Sequence, residues 1–285
     1  MDLQALAIGG LYVLTGVVVL LIAKLIKDLF TPYRVDVELS EKDNPAFGLV
    51  LVGYFVGVTS IFIGAGIGEL PETALSPLQL GWLLMVDTLY ALGGVFALLV
   101  GRWVLDHVSL RSFRMSDEIL RDRNVGSGAV EAGGLIATGL TVAGAIHGEG
   151  GGAFSALVFF LLGQCCLVVF AFLYQRLVGY DVHGEIEKDN VAAGVALGLN
   201  LIAVGIILLK GISGDLESWQ DKLTWFFLDA GVGIALLLLV RRATDALFLP
   251  NTSLRHEIVH DQNVNAAWIE GTVATGMAAI IFFMV

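Results

Sequence analysis

Eight apolar runs, each long enough to cross a lipid bilayer, leave few folds open to this chain of 285 residues. They cover about 4–23, 45–68, 80–105, 125–146, 153–174, 191–209, 223–240 and 264–285, and a spanning helix needs roughly 20 apolar residues. With 56% hydrophobic and 15% charged residues, and several apolar stretches of that length, the composition is that of a membrane protein. Only helices and closed barrels satisfy their backbone groups in lipid, and these runs lack the alternation of barrel strands. The expected fold class is an all-α polytopic membrane protein with eight transmembrane helices.

Cationic residues orient the spans. All Lys and Arg except Lys210 and Lys222 fall at or between the facing ends of segments 1–2, 3–4, 5–6 and 7–8. The positive-inside rule makes those four connections cytoplasmic and both termini external. The opposite face collects Asp2, Glu69, Glu72, Glu149, Asp215, Glu217 and Asp221. An acidic face of this kind favours cations and argues against nucleic acid as a partner.

One phrase recurs ahead of every second span: Glu41-Lys42-Asp43-Asn44, Asp122-Arg123-Asn124, Glu187-Lys188-Asp189-Asn190 and Asp261-Gln262-Asn263. Four residues beyond each Asn stands a small residue: Gly48, Gly128, Gly194 or Ala267. Copies one and three share the full Glu-Lys-Asp-Asn, with Asp36-Val37 and Asp181-Val182 upstream. Copies two and four share Glu118-Ile119 and Glu257-Ile258 upstream, and Glu131 and Glu270 seven residues beyond the Asn. The chain therefore divides into two tandem four-helix units, 1–150 and 151–285, each a pair of hairpins in the same orientation. These are parallel repeats rather than inverted ones, with a pseudo-twofold along the membrane normal.

An acidic stretch ending in Asn-x-small-x-small, set in four-helix units, resembles the bacterial inner-membrane proteins grouped as domain of unknown function 350. The resemblance covers nearly the whole chain as two copies. Pro45 after the first Asn, and Asn265 where a small residue is usual, depart from it. It implies a topology and carries no activity or residue role.

Asn44, Asn124, Asn190 and Asn263 are candidate helix N-caps, because an Asn side chain accepts from an unsatisfied N–H of the first turn. Pro45 occupies a position that suits proline. The small residue one turn on permits close helix approach, so the even-numbered helices are expected to be the inner ones. The alternative is a cytoplasmic vestibule in which the acidic residues around the four Asn gather cations.

Four carboxylates fall within the spans, where ionisable groups are costly and mark candidate function. Glu131 and Glu270 lie roughly 10 Å in from their Asn. Asp87 and Asp229 lie roughly 10 Å in from the other face, and Asn200 is near mid-depth. A polar path through these five residues defines a candidate ion pathway. Against it stand Arg102 and Arg242, candidate ion-pair partners that would make the two Glu structural pins.

Other chemistry is missing. The histidines (His107, His147, His183, His256, His260) all fall outside the span centres, which disfavours haem ligation within the bilayer. Cys165 and Cys166 are adjacent and lack metal-ligand spacing. No enzyme, no resident metal and no cofactor is expected. Two functional readings remain. One is a cation or proton channel or transporter built on paired intramembrane carboxylates. The other is a non-transporting membrane scaffold or stress-response subunit that docks a cytoplasmic protein partner through its acidic loops. The lipid bilayer is the one certain neighbour, and a homo-oligomer is compatible with the repeat.

Overall fold

The structure is a computed structural model, and it describes residues 3–67, 76–106, 115–148, 150–248 and 251–284. Asp2, Glu69, Glu72, Glu149 and His107 lie outside the described residues. Eight long helices carry the candidate spans among the described residues. They are α1 (Leu3–Phe30), α2 (Pro45–Gly66), α3 (Pro77–Val104), α4 (Val125–Ile146), α5 (Gly152–Leu177), α6 (Val191–Ile212), α7 (Trp219–Phe248) and α8 (Val264–Met284). Each even-numbered helix starts at the residue after a repeated Asn. Its length of 21 or 22 residues gives a rod of about 33 Å, close to the hydrocarbon thickness.

The even-numbered helices form a row in the order α2, α4, α6, α8, and α3, α5 and α7 each lie over the groove between two row neighbours. Burial follows from that order. Within their most apolar windows, 72% of α4 and 78% of α6 are buried, against 28% of α8 at the end of the row. The expected inner position therefore holds for α2, α4 and α6, whereas α8 is no more buried than the covering helix α3. The expected pseudo-twofold does not describe the packing. Such an axis would bring α8 against α2 just as it brings α4 against α6, and α8 does not pack on α2. The row instead takes one step three times and stays open at both ends.

Small residues set the step. Lipid tails give no hydrophobic drive between helices, so association relies on close backbone contact. A Cβ on Gly128 would meet the Ala46 backbone, and one on Gly194 the Gly126 backbone. Gly139 lies against Gly57 and Gly205 against Ala137 in the same way. The α4–α6 step crosses residue 150 without a break, so the two sequence units share one packed row.

The glycines of the row are therefore position-specific. Gly133→Ala, whose Cβ would collide with the Gly198 backbone, is expected to destabilise by about 1–3 kcal/mol. Gly81→Ala, with nothing within 4 Å, is expected to be neutral or to gain up to ~1 kcal/mol of helix propensity. Thermal unfolding of the two variants in detergent provides the comparison.

Candidate functional site: the asparagine junctions and the buried ion pairs

Each Asn ends one helix and begins another. A short helical segment precedes it: Val37–Glu41, Glu118–Asp122 after Met115–Asp117, Val182–Glu187 or Leu254–Val259. The residue before each Asn is left-handed (Asp43 φ 47°, Arg123 φ 57°, Asp189 φ 62°, Gln262 φ 48°), a conformation costly for side chains with a Cβ. That reversal lets the Asn backbone N–H return to a Glu carbonyl: Asn44 to Glu38, Asn124 to Glu118, Asn190 to Glu185 and Asn263 to Glu257. The side chain of the same Glu accepts from the Asn Nδ2, at 3.5, 3.0, 3.0 and 2.8 Å respectively. Burial pushes the Glu118 carboxyl above the usual carboxylate range, and the Asn124 amide pulls it back.

The Asn side-chain oxygen then caps the long helix. Asn44 accepts from Phe47 N (3.1 Å), Asn124 from Ser127 N (2.9 Å) and Asn190 from Ala193 N (3.2 Å). Asn263 instead accepts from Asn265 N (3.0 Å). The amide has a further role that spacing did not reveal. Asn44 Nδ2 donates to Ile119 O (2.8 Å), Asn124 Nδ2 to Ile186 O (2.6 Å) and Asn190 Nδ2 to Ile258 O (2.8 Å). Each acceptor follows the clamp Glu of the next repeat, so the Asn residues tie successive repeats together. The missed signal was a Glu-Ile or Glu-Leu pair in all four copies, including Glu38-Leu39 and Glu185-Ile186.

The two intramembrane Glu sit in separate, buried sites. Glu131 Oε1 lies 2.6 Å from Arg102 Nε, and its Oε2 accepts from Arg102 Nη2 over 3.4 Å. Arg102 Nη1 also donates to the Tyr33 hydroxyl at 3.4 Å. Close by, Lys27 is fully buried at the end of α1, its ammonium 4.8 Å from the centre of the Tyr54 ring. Beside Glu131 is a cavity of about 20 Å³, lined in part by Leu135, Leu197 and Leu201, which has room for about one water.

Glu270 pairs with Arg241, not with the expected Arg242. The Arg-to-Glu separation is 29 residues in both halves, and one residue further turns the side chain about 100° around the helix. Arg242 is exposed. Glu270 Oε1 also accepts from Tyr174 Oη (3.1 Å) and Asn200 Nδ2 (3.3 Å), and Arg241 Nη1 donates to Tyr174 Oη (2.9 Å). The halves differ in one informative respect. Lys27 and Tyr54 occupy, in the first half, the repeat positions of Tyr174 and Asn200 in the second.

The expected path from Asp through Asn200 to Glu is not assembled. Asn200 reaches Glu270, but Asp87 accepts from Tyr12 Oη (2.7 Å) and Asp229 from Lys210 Nζ (2.8 Å). Among the described residues no hydrogen bond or ion pair joins either Asp to either Glu. Asp87 lines a cavity of about 160 Å³ at the end of the bundle away from the Asn residues, with His147, Ser155 and Lys222. No group of three or more His, Cys, Asp and Glu gathers as a metal cluster among the described residues.

Fold and sites together define a polytopic helical membrane protein made of tandem hairpins, with one arginine–glutamate pair per half. The chain belongs to the family described as Domain of Unknown Function (DUF350), whose pattern matches residues 1–146 and again 150–285. It is 25% identical over 189 residues to a UPF0719 transmembrane protein of Aquifex aeolicus (strain VF5). That match covers 65% of this chain and 65% of the relative, so the chain spans just under two thirds of the relative's length. No solved structure matches the chain.

Two outcomes test these sites. Asn124→Asp keeps the capping oxygen, loses both amide donations and sets a second carboxylate against Glu118. It is expected to destabilise by about 2–4 kcal/mol, and Asn263→Asp, where the amide holds Glu257, by less; denaturation in detergent ranks them. Arg241→Met alone leaves Glu270 buried and uncompensated and is expected to cost about 3–5 kcal/mol, most of it recovered in Arg241→Met/Glu270→Met.

Proposed function

We propose that this chain is a non-conducting membrane scaffold that presents its Asn-capped end to a cytoplasmic protein partner. The observation that supports this best is the pairing of both buried carboxylates: each is held by an arginine of its own half, and the two sites share no side chain. Backbone contacts join α2 to α4 and α4 to α6, and the water-sized cavity at Glu131 is small for an ion with its hydration shell.

The Asn end suits docking. Glu41, Asp43, Asp122, Glu187, Asp189 and Asp261 are exposed there, spaced along the row by the repeat. Rigid junctions beneath them hold these carboxylates in register beside the exposed Lys42, Arg123 and Lys188, and a protein surface of complementary mixed charge is the partner that fits. By the positive-inside rule that end is cytoplasmic, with both termini external in a bacterial inner membrane.

The competing reading is a cation or proton pathway through Glu131 and Glu270, favoured by their matched depth. It requires each arginine–glutamate pair to separate during transport. Purified protein in liposomes with proton- and cation-sensitive dyes distinguishes the two. The scaffold is expected to give no flux above empty liposomes under a gradient or voltage. A native flux abolished in a stably folded Glu131→Gln/Glu270→Gln variant refutes it.

A further inference from the structure

The row of inner helices ends on two faces that match each other. Every odd-numbered helix carries a glycine at one repeat position: Gly16, Gly94, Gly163 and Gly233. Three of these notches receive a side chain from the preceding row helix, always the residue seventeen beyond its Asn. Ile61 of α2 sits at Gly94, Thr141 of α4 at Gly163, and Ile207 of α6 at Gly233. The fourth such residue is Ile280 of α8, which is 53% exposed. The fourth notch is Gly16 of α1. Its contact within the hairpin is made by Phe62, as Val142 makes that of Gly94, but no preceding helix covers it. Gly16 lines an open apolar groove of about 430 Å³ between α1 and α2, with Tyr12, Thr59, Phe62 and Ile63.

The remaining contacts of the step are also present as unmatched halves. At the α2–α4 and α4–α6 steps, the residue four beyond an Asn packs on the residue two beyond the preceding Asn, and residue fifteen packs on residue thirteen. On the open faces these positions are Gly48 with Asn265, and Thr59 with Gly276. Gly48 and Gly276 have nothing within 4 Å, so each larger side chain has a glycine opposite it. The backbone tie is likewise half-made. Among the described residues, Asn263 has its clamp to Glu257 but no carbonyl of another repeat, and Leu39, which follows Glu38 as Ile119 follows Glu118, has no Asn amide on it.

We propose that a second copy of this chain docks head to tail, with its α8 in the α1–α2 groove, Ile280 at Gly16 and the Asn263 amide on the Leu39 carbonyl. The contact repeats the step already made three times within the chain, so its geometry is that of an established interface. It is heterologous, and such contacts build closed rings or open rows according to whether the rotation per step closes. The proposal is independent of whether the protein conducts ions.

Cross-linking tests it. Ile63 and Phe283 are the counterparts of Ala143 and Gly64, where a Cβ on the glycine would lie 2.8 Å from the alanine Cβ, and they stand at opposite ends of the row. In a Cys165→Ser/Cys166→Ser background, Ile63→Cys with Phe283→Cys is expected to yield disulfide-linked multiples of the 30.4 kDa chain in membranes. Ile63→Cys with Leu157→Cys, which places the second thiol on an exposed site of α5, serves as the control and is expected to give no ladder. Ile280→Ser, at a side chain exposed in the single chain, is expected to remove the ladder while helicity and melting stay unchanged. Cross-linking no greater than the control, or a native chain that is monomeric by single-molecule bleaching in liposomes, overturns the proposal and leaves the groove to lipid or to another protein.

Discussion

The structure depends on the bonds made by one amide side chain. At each repeat the Asn closes a short helix with its backbone N–H, and three of the four cap the following long helix with their side-chain oxygen. All four hold a clamp Glu with the amide nitrogen, and the first three also grip the next repeat through it. An aspartate has the acceptor without the donors, and a serine has one donor to share. Asn is the small side chain that offers an oxygen and two N–H groups on one planar head. The left-handed residue before it, a strained choice at four non-glycine positions, aims that head into both partners.

Those junctions set the spacing at which the helices leave the membrane surface, and the glycines let the spacing continue through the lipid. Helices joined by short polar ties at one end can stay in contact along their length only if no side chain separates them. This explains why small residues recur where one backbone meets the next. It also bears on the two glutamates. A buried carboxylate is costly to keep ionised without a cation beside it, and Arg102 and Arg241 supply that charge from the covering helices.

Much of this was legible in the sequence. Helix class, the eight spans and the starting residue of every inner helix follow from run length and from the Asn phrase. The arginine partner was open to the same reasoning, since the 29-residue interval that links Arg102 to Glu131 selects Arg241 over Arg242. Asp87 and Asp229 were harder. Their partners, Tyr12 and Lys210, lie 75 and 19 residues away on other helices, and no repeat relates the two pairs. Lys27 was hidden differently. Among the basic residues at that end of the spans it looked like one more orientation signal, and only the packing of Tyr33, Phe47 and Tyr54 around it shows a buried ammonium.

Run length and spacing were enough for what acts along one helix: hydrophobic length, three of the four caps, the repeat interval and the small residues spaced for contact. These are properties of local order, because lipid imposes length and hydrogen-bond closure on each span separately. Packing was needed to see that the repeats form an open row rather than a twofold pair, and that three of the four Asn reach into the next repeat. It also places the buried carboxylates in two separate sites instead of one line. Those outcomes depend on which helix stands beside which, a choice made by the contact of whole faces that no interval along the chain encodes.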